Sequence, residues 1–407
     1  MKRKDFLKNS ALMAAGLSLY AGCSDNPVDP TLVDNEPPFP YLEISAPSNY
    51  DIGYQISSHF KTIMTEFYKR MIENKIHAPS SPFDGMGMLE IFLNLIDSDR
   101  SIYYDPFLTA ARNKYPEYIE ELEGFSAGSD IPFKSIFAMN CQLEILNRYI
   151  SLNSAQHSDF LFKRPRNCSA VSYSGRNKHF LAHNFDFDTA YADLLFCAKI
   201  SQPGKPTYLG LNFPTGGLGV GPWMNEAGMV FSPNQLDINT PSNDVPTVLL
   251  LRNLIETQNM AEAKEIISHP NISYAIHINL GSMNENKIIS AEIIPGKYEI
   301  HEVQDFYVHT NHFILPTMEG SGYIDDNSIT RRNTLLSKAS QYLNNESEIN
   351  NELFTEWMSS HEGYPNAVCV HSTACLTVSH SVFNFEEKTW KLYKGNPCAN
   401  AYKTLKL

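Results

Sequence analysis

Apolar positions in the first part of the chain recur at helical spacing. From Ser57 to Lys75 they fall at Phe60, Ile63, Met64, Phe67, Met71 and Ile72, one stripe of an amphipathic helix. Gly85 to Ile96 carries a second such stripe. Pro116 opens a third helix, with Glu117, Glu120 and Glu121 in its early turns, where carboxylates complement the helix dipole, and Gly124 near its end. A fourth is expected from about Phe133 to Arg148. From about residue 168 the pattern changes to short apolar runs of strand length. These runs are Leu194–Ile200, Thr207–Phe213, Gly228–Phe231, Tyr274–Leu280, Ile288–Ile294, Tyr298–Val303, Tyr307–Thr310, Leu376–Phe385 and Thr389–Tyr393. Thr247–Thr257 and Ala261–Ser268 interrupt them as a helical pair. Arg331–Leu343 adds another helix, entered through Asp326-Asn327-Ser328. Strand runs separated by helices predict two stacked sheets with helices outside.

The stretch from Asn167 to Asp188 stands at the change of pattern. Cys168-Ser169-Ala170 begins one short strand, Ser174-Gly175-Arg176-Asn177-Lys178 is a polar turn, and Phe180-Leu181-Ala182 leads a second strand to His183-Asn184-Phe185-Asp186-Phe187-Asp188. In such a hairpin the end of the second strand returns beside the start of the first, so Cys168 and Asp186 become neighbours. A cysteine in a strand is by default a small buried hydrophobe. Its other reading is a nucleophile.

Two loops carry further polar motifs. Gly217-Leu218-Gly219-Val220-Gly221 precedes Met224-Asn225-Glu226-Ala227-Gly228, and the segment ends at Asn234. No G-K-[ST] follows the glycines, which removes a phosphate loop from consideration. The second loop is Val308-His309-Thr310-Asn311-His312-Phe313. A single Asn after a strand is ordinarily a turn former.

Taken together these motifs resemble the acyl-coenzyme A:6-aminopenicillanate acyltransferase-like family of N-terminal nucleophile (Ntn) cysteine hydrolases, related to choloylglycine hydrolases and acid amidases. Cys168 with Asn184-Phe185-Asp186-Phe187 is similar to that family's strand-opening cysteine and N-x-D-F motif. Asn225-Glu226-Ala227-Gly228 and Thr310-Asn311-His312-Phe313 resemble its N-E-x-G and T-N-H-F. Upstream, Tyr50-Asp51-Ile52-Gly53, the segment Glu121 to Gly128 and Met139 to Glu144 resemble its early segments. Val368-Cys369-Val370-His371 and Gly395-Asn396-Pro397-Cys398 resemble its terminal ones. The likeness runs over roughly residues 45–407. It departs at Asn184, where choloylglycine-type relatives carry Arg, which disfavours recognition modes that need a cation there.

The resemblance implies an α+β fold, a four-layer αββα sandwich of two antiparallel sheets with an N-terminal helical segment. It implies self-cleavage between Asn167 and Cys168, which leaves Cys168 as a new N-terminus, with the two pieces remaining associated. Cys168 would then be the nucleophile, its own α-amine the base, Asp186 the group that holds the amine, and Asn234 and Asn311 the oxyanion donors. The expected reaction cleaves a linear amide of an acylated amine or amino acid through a Cys168 thioester, on a small-molecule N-acyl substrate and without a cofactor. The alternatives are an acyl-coenzyme A-dependent N-acyltransferase and a non-catalytic surface lipoprotein on the same scaffold. Trp223 and Tyr173 are candidates to line an acyl pocket and equally candidates for core.

Composition refines the picture at the ends. Residues 1–22 carry Lys2, Arg3, Lys4 and Lys8 before an apolar run, Ala11 to Ala21, too short to span a bilayer. Arg3-Lys4-Asp5-Phe6-Leu7-Lys8 is similar to a twin-arginine signal. Ala21-Gly22-Cys23 has the shape of a lipoprotein cleavage site, so Cys23 is the expected lipidation point, with Tyr20 standing where Leu is usual. Residues 23–40 are Pro- and Asp-rich and read as a tether. The expected divisions are 1–22 export signal, 23–40 tether, 41–167 helical segment and 168–407 hydrolase segment. The expected location is exported, as a periplasmic or outer-membrane lipoprotein that meets the membrane through its lipid alone. Removing residues 1–22 takes away four positive charges and one negative, so the formal net charge moves from −13 to −16. Nucleic acid is therefore not an expected partner. Six cysteines follow Cys23, at scattered spacing in a chain large enough not to need disulfides. Cys369 and Cys375 with His361, His371 and His380 nearby suggest a metal set, but no C-x-x-C or H-E-x-x-H is present and no metal is expected.

Overall fold

The computed structural model describes residues 34, 36–77, 81–153, 168–238, 241–343, 345–399 and 401–407. Cys23, Asn167 and the proposed export signal lie outside the described residues. A helical region comes first. It holds α1 (Asn49–His59), α2 (Lys61–Glu73), α3 (Met88–Ser98), α4 (Arg100–Tyr103), α5 (Asp105–Lys114), α6 (Pro116–Ser129), α7 (Phe133–Asn140) and α8 (Gln142–Leu152). Later come α9 (Thr247–Leu254), α10 (Met260–Ser268), α11 (Asp326–Ala339) and α12 (Asn351–Met358).

Two sheets form the centre. One has eight strands: β1 (Tyr41–Ser45), β4 (Phe196–Ser201), β5 (Tyr208–Asn212), β6 (Trp223–Asn225), β7 (Met229–Gln235), β8 (Ile276–Ser282), β9 (Lys287–Ile294) and β10 (Lys297–Glu302), in that spatial order. The other has six, in the order β11 (Asp305–His309), β2 (Cys168–Ser174), β3 (His179–Asp188), β12 (Cys375–Asn384), β13 (Thr389–Lys394) and β14 (Tyr402–Leu405). Among the described residues, the pairings within the two sheets are antiparallel except β1 with β4, which is parallel. The eight-stranded sheet is thus mixed, not purely antiparallel as expected. β1 reaches its place through helices α1 to α8 and β2 and β3, a crossover that permits parallel pairing.

Three apolar layers hold the elements together. Leu181, Phe185, Leu211, Val230, Ile288, Phe383 and Trp390 interdigitate between the two sheets, and Cys168 belongs to this layer. Ile52, Phe92, Phe125, Phe196, Trp223, Phe231 and Ile278 pack α1 to α10 on the outer face of the eight-stranded sheet. Val171, Phe180, Ala182, Leu335, Phe354 and Trp357 pack α11 and α12 on the outer face of the other. The order is therefore helices, sheet, sheet, helices, the four-layer αββα sandwich. Trp223 and Tyr173 are both buried in these layers.

Two expected helices are broken. The stripe from Ser57 to Lys75 is divided at Phe60, whose backbone leaves the helical region and whose ring sits 4.5 Å from that of Phe196. The helix over 133–148 is divided at the buried Cys141. The glycines of the early motifs have a single explanation. A Cβ on Gly53 would fall 2.0 Å from the Glu121 carbonyl oxygen, and one on Gly124 would fall 2.1 Å from that of Tyr50. α1 and α6 therefore cross backbone on backbone, which only residues without a Cβ allow. Glu121 anchors the same crossing, accepting from Asn49 Nδ2 at 3.1 Å and from Arg252 Nη2 of α9 at 2.7 Å.

Candidate active site

The hairpin forms as its sequence directs. β2 pairs with β3 so that Cys168 faces Phe185, with Asp186 one residue further on. Alternation then separates the two candidates by face. Cys168 and Phe185 point into the inter-sheet layer, while Ser169, Asn184 and Asp186 point toward α11 and α12.

The backbone of Cys168 is held on both sides. Its N–H donates to Asn311 Oδ1 at 2.9 Å. Its carbonyl oxygen accepts from Arg331 Nη1 at 2.5 Å and from Asn234 Nδ2 at 3.5 Å. Asn234, the penultimate residue of β7, also donates to the carbonyl oxygens of His309 (3.1 Å) and Thr310 (2.8 Å). Asn311 follows β11. Its Nδ2 donates to the Gln235 carbonyl at 3.0 Å, and its own N–H donates to Ser328 Oγ at 2.8 Å. Ser328 lies in the first turn of α11, capped by the Asp325 carboxylate. The loop beyond is fixed by Glu292, buried on β9, which accepts the N–H groups of Ile314 and Leu315.

Arg331 is the group that the local pattern does not single out. It is fully buried and forks across the cluster, donating from Nη1 to Ser169 Oγ (2.9 Å), from Nη2 to Asn311 Oδ1 (2.8 Å) and from Nε to Asn327 Oδ1 (2.7 Å). A signal for it does exist in the sequence. Ser328, Arg331 and Leu335 recur at i, i+3 and i+7, so the guanidinium rides on the buried stripe of α11. A cation on such a stripe needs partners.

The electrostatics follow from burial. Asp186 Oδ1 accepts from Thr377 Oγ1 at 2.6 Å, while Oδ2 has no hydrogen-bond partner among the described residues. Desolvation raises the Asp186 carboxyl to about 7, against the opposing pull of Arg331 and the Thr377 hydroxyl. Burial and the nearby Asp186 push the Cys168 thiol to about 12 in the uncut chain. Arg331 is itself lowered by desolvation, with Asp186 supporting its charge. Asn184 serves the scaffold: its Nδ2 donates to the carbonyls of Met358 (2.8 Å) and Val368 (3.0 Å). The cluster thus brings together Cys168, Asn234 and Asn311 by direct hydrogen bonds, with Asp186 one strand position away and Arg331 added.

The model of the acyl-coenzyme A:6-aminopenicillanic acid acyl-transferase family matches residues 173–399, more than half of the chain, and the chain belongs to that family. Among curated relatives, the 40 kDa form of acyl-coenzyme A:6-aminopenicillanic-acid-acyltransferase from Emericella nidulans is 24% identical over 264 residues, 63% of this chain and 68% of the relative. The beta-alanyl-dopamine/carcinine hydrolase of Drosophila melanogaster is 22% identical over 240 residues, 56% of this chain and 57% of the relative. The chain thus spans about two thirds of the first and just over half of the second. A solved N-acylethanolamine-hydrolyzing acid amidase ortholog from Caenorhabditis elegans aligns with a TM-score of 0.37 at 18% identity, over 53% of this chain and 92% of that one.

Proposed function

We propose that the protein is a self-processing amidohydrolase whose nucleophile is the Cys168 thiol, acting on linear amides of acylated amines. The observation that carries this reading is the double clamp on the Cys168 backbone, with Asn311 on its N–H and Arg331 on its carbonyl. Buried backbone groups in a strand are ordinarily paired by the ladder, whereas here polar side chains from two other segments hold both. A residue that must become an N-terminus and keep its place needs both. The relatives' names, an acyltransferase of 6-aminopenicillanic acid and a hydrolase of beta-alanyl-dopamine and carcinine, set the substrate class to test.

In the first step the Cys168 thiol attacks the Asn167 carbonyl. The Asn167–Cys168 C–N bond breaks, a thioester forms, and water resolves it to the Asn167 carboxylate and a free Cys168 amine. Cleavage converts a neutral amide N–H into an amine with a pKa of about 7.7–8.0, a base able to take the thiol proton near neutral pH. When charged, the same group lowers the thiol from its buried value. Asn311 Oδ1 already accepts at this nitrogen, and Asp186 Oδ2 is an acceptor left for the new ammonium.

Turnover repeats the chemistry on substrate. The thiolate sulfur bonds to the amide carbon, the thiol proton passes through the α-amine to the leaving amine, and the C–N bond breaks. Water then cleaves the thioester and returns the thiol. Asn311 engages one of its two Nδ2 hydrogens on Gln235 and so retains one for the oxyanion. An acceptor amine in place of water would make the same thioester an acyltransferase intermediate.

The test is an acyl-enzyme trap. Purified protein is mixed with N-acyl amines, N-acyl amino acids or side-chain-acylated β-lactams, quenched in acid and weighed. One acyl group on the fragment beginning at Cys168, absent in Cys168→Ala, is the expected result. No adduct and no amine release with any of these classes would remove the reading.

A further inference from the structure

A second cluster of nucleophilic and ligating side chains lies away from Cys168, and the mechanism uses none of it. Cys369, His371 and His361 come from the segment that leads into β12, and Cys398 from the turn after β13. One ligand atom from each, two thiol sulfurs and two imidazole nitrogens, lies within 4.8 Å of all the others. The sequence pairs Cys369 with Cys375 and adds His380. The fold separates them: Cys375 opens β12 against Asp188, and His380 is buried in the six-stranded sheet against the His183 carbonyl. Cys398, 29 residues after Cys369, takes the fourth corner.

Four of the six separations are close to the edges of a metal tetrahedron, and all six lie within 4.8 Å. Cys369 Sγ and Cys398 Sγ are 3.7 Å apart, and His361 Nε2 and His371 Nε2 are 3.1 Å apart. His371 Nε2 lies 3.4 Å from Cys369 Sγ and 3.3 Å from Cys398 Sγ. Zinc bonds of about 2.3 Å to sulfur and 2.0–2.1 Å to nitrogen give tetrahedral edges of roughly 3.8 Å for S···S, 3.3 Å for N···N and 3.6 Å for S···N. A supporting contact is also in place, since Asn396 Nδ2 reaches Cys369 Sγ at 3.4 Å and the Val370 carbonyl at 2.8 Å.

We propose that His361, Cys369, His371 and Cys398 bind one zinc ion as a closed, four-ligand structural site. All four donors are protein side chains of the types zinc takes in structural sites, which leaves no coordination position for substrate.

The metal ties two loops whose order matters to the other site. Cys369 adjoins Val370, whose N–H donates to Thr377 Oγ1 at 2.9 Å. That hydroxyl in turn holds Asp186. On the other side, Val368 supplies the carbonyl that anchors Asn184. Zinc would therefore fix the segment that sets Asp186, acting on it as a positioning group. The site stands whether or not Cys168 is the nucleophile.

The experiment is the metal content of the full chain, purified without a polyhistidine tag and without chelator, together with its intact mass and free-thiol count. One zinc per chain is expected, falling to below about a tenth in His361→Ala and Cys398→Ser. His361 is only partly buried, so its variant tests the metal apart from folding. Replacement by Co(II) should give the visible bands of a tetrahedral thiolate site, and chelation should lower Tm in the wild type and leave His361→Ala unmoved. A mass lower by two hydrogens with no metal, which is a Cys369–Cys398 disulfide, would overturn the proposal. So would a metal-free chain with both thiols reduced, or zinc retained in both variants.

Discussion

The side-chain oxygen of Asn311 accepts the backbone N–H of Cys168 at 2.9 Å, across 143 positions of sequence. The same oxygen accepts from Arg331. Two buried donors therefore rest on one acceptor. Asn311→Leu removes it and leaves both underserved, which costs stability by about 1–3 kcal/mol. If the Asn311 amide also meets the oxyanion, amidase kcat falls about 100- to 1000-fold. Asn311→Asp keeps an acceptor for both donors but loses the Nδ2 donor to Gln235. It should retain most of the stability and still lose the rate. Thermal melting and single-turnover kinetics on the pair separate the two roles.

Asp186 gives a prediction about pH. Its carboxyl is raised to about 7 by desolvation and held down from going higher by Arg331 and the Thr377 hydroxyl. If ionised Asp186 is needed for turnover, the acid limb of the rate profile lies near neutrality. Thr377→Val removes a stabiliser of the charged form, so the limb moves to higher pH. A pH series of kcat/KM on wild type and Thr377→Val checks the direction, and a limb that stays in place or moves to lower pH contradicts the role given to Asp186.

Glu144 offers the same physics without the chemistry. It is buried, accepts from the Thr247 N–H at 2.8 Å, and its carboxyl is raised by desolvation to about 7. A carboxyl raised on folding binds its proton more tightly in the native state. Stability is then greatest below the unfolded value and falls as pH rises from about 4.3 toward 7. Glu144→Gln removes the ionisation. It should gain about 1–3 kcal/mol over wild type at pH 8 and nothing at pH 4, as read by denaturant unfolding at the two pH values.

The helix crossing is testable through its glycines. Gly53→Ala and Gly124→Ala each push a methyl into a backbone carbonyl with no side chain free to yield. Each should destabilise by roughly 2–4 kcal/mol, at the severe end for single substitutions. Gly204→Ala is the control. Gly204 has a left-handed φ of 78° but open space around it, so only the backbone penalty of about 1 kcal/mol applies.

These residues also mark what was readable in the chain. The β2–β3 hairpin and the strands from β4 to β13 follow from local alternation and turn chemistry, β6 excepted, and the observed strands start or end within a few residues of the apolar runs. β6 and β14 have three and four residues, too few to carry a period, and β1 stands apart from the other strand runs, ahead of the helical region. The breaks at Phe60 and Cys141 come from packing against other layers, which no local window contains. Cys168, Asp186, Asn234 and Asn311 were legible because each sits in a short motif of its own. Arg331 was not, because its partners are 20 and 163 residues away and its helix position looks ordinary until the buried stripe is drawn. Cys398 was hidden for the same reason: its three companions lie 27 to 37 residues upstream, beyond the spacing a metal motif would show.

Cleavage of the Asn167–Cys168 bond is tested most directly by the intact mass of the full chain under denaturing conditions, beside Cys168→Ala. Self-processing predicts two wild-type fragments that meet at this bond, the second running from Cys168 to Leu407, and a single uncut mass for the variant. A wild-type chain that stays whole, or that is cut at the same bond in Cys168→Ala, would contradict Cys168 as an N-terminal nucleophile.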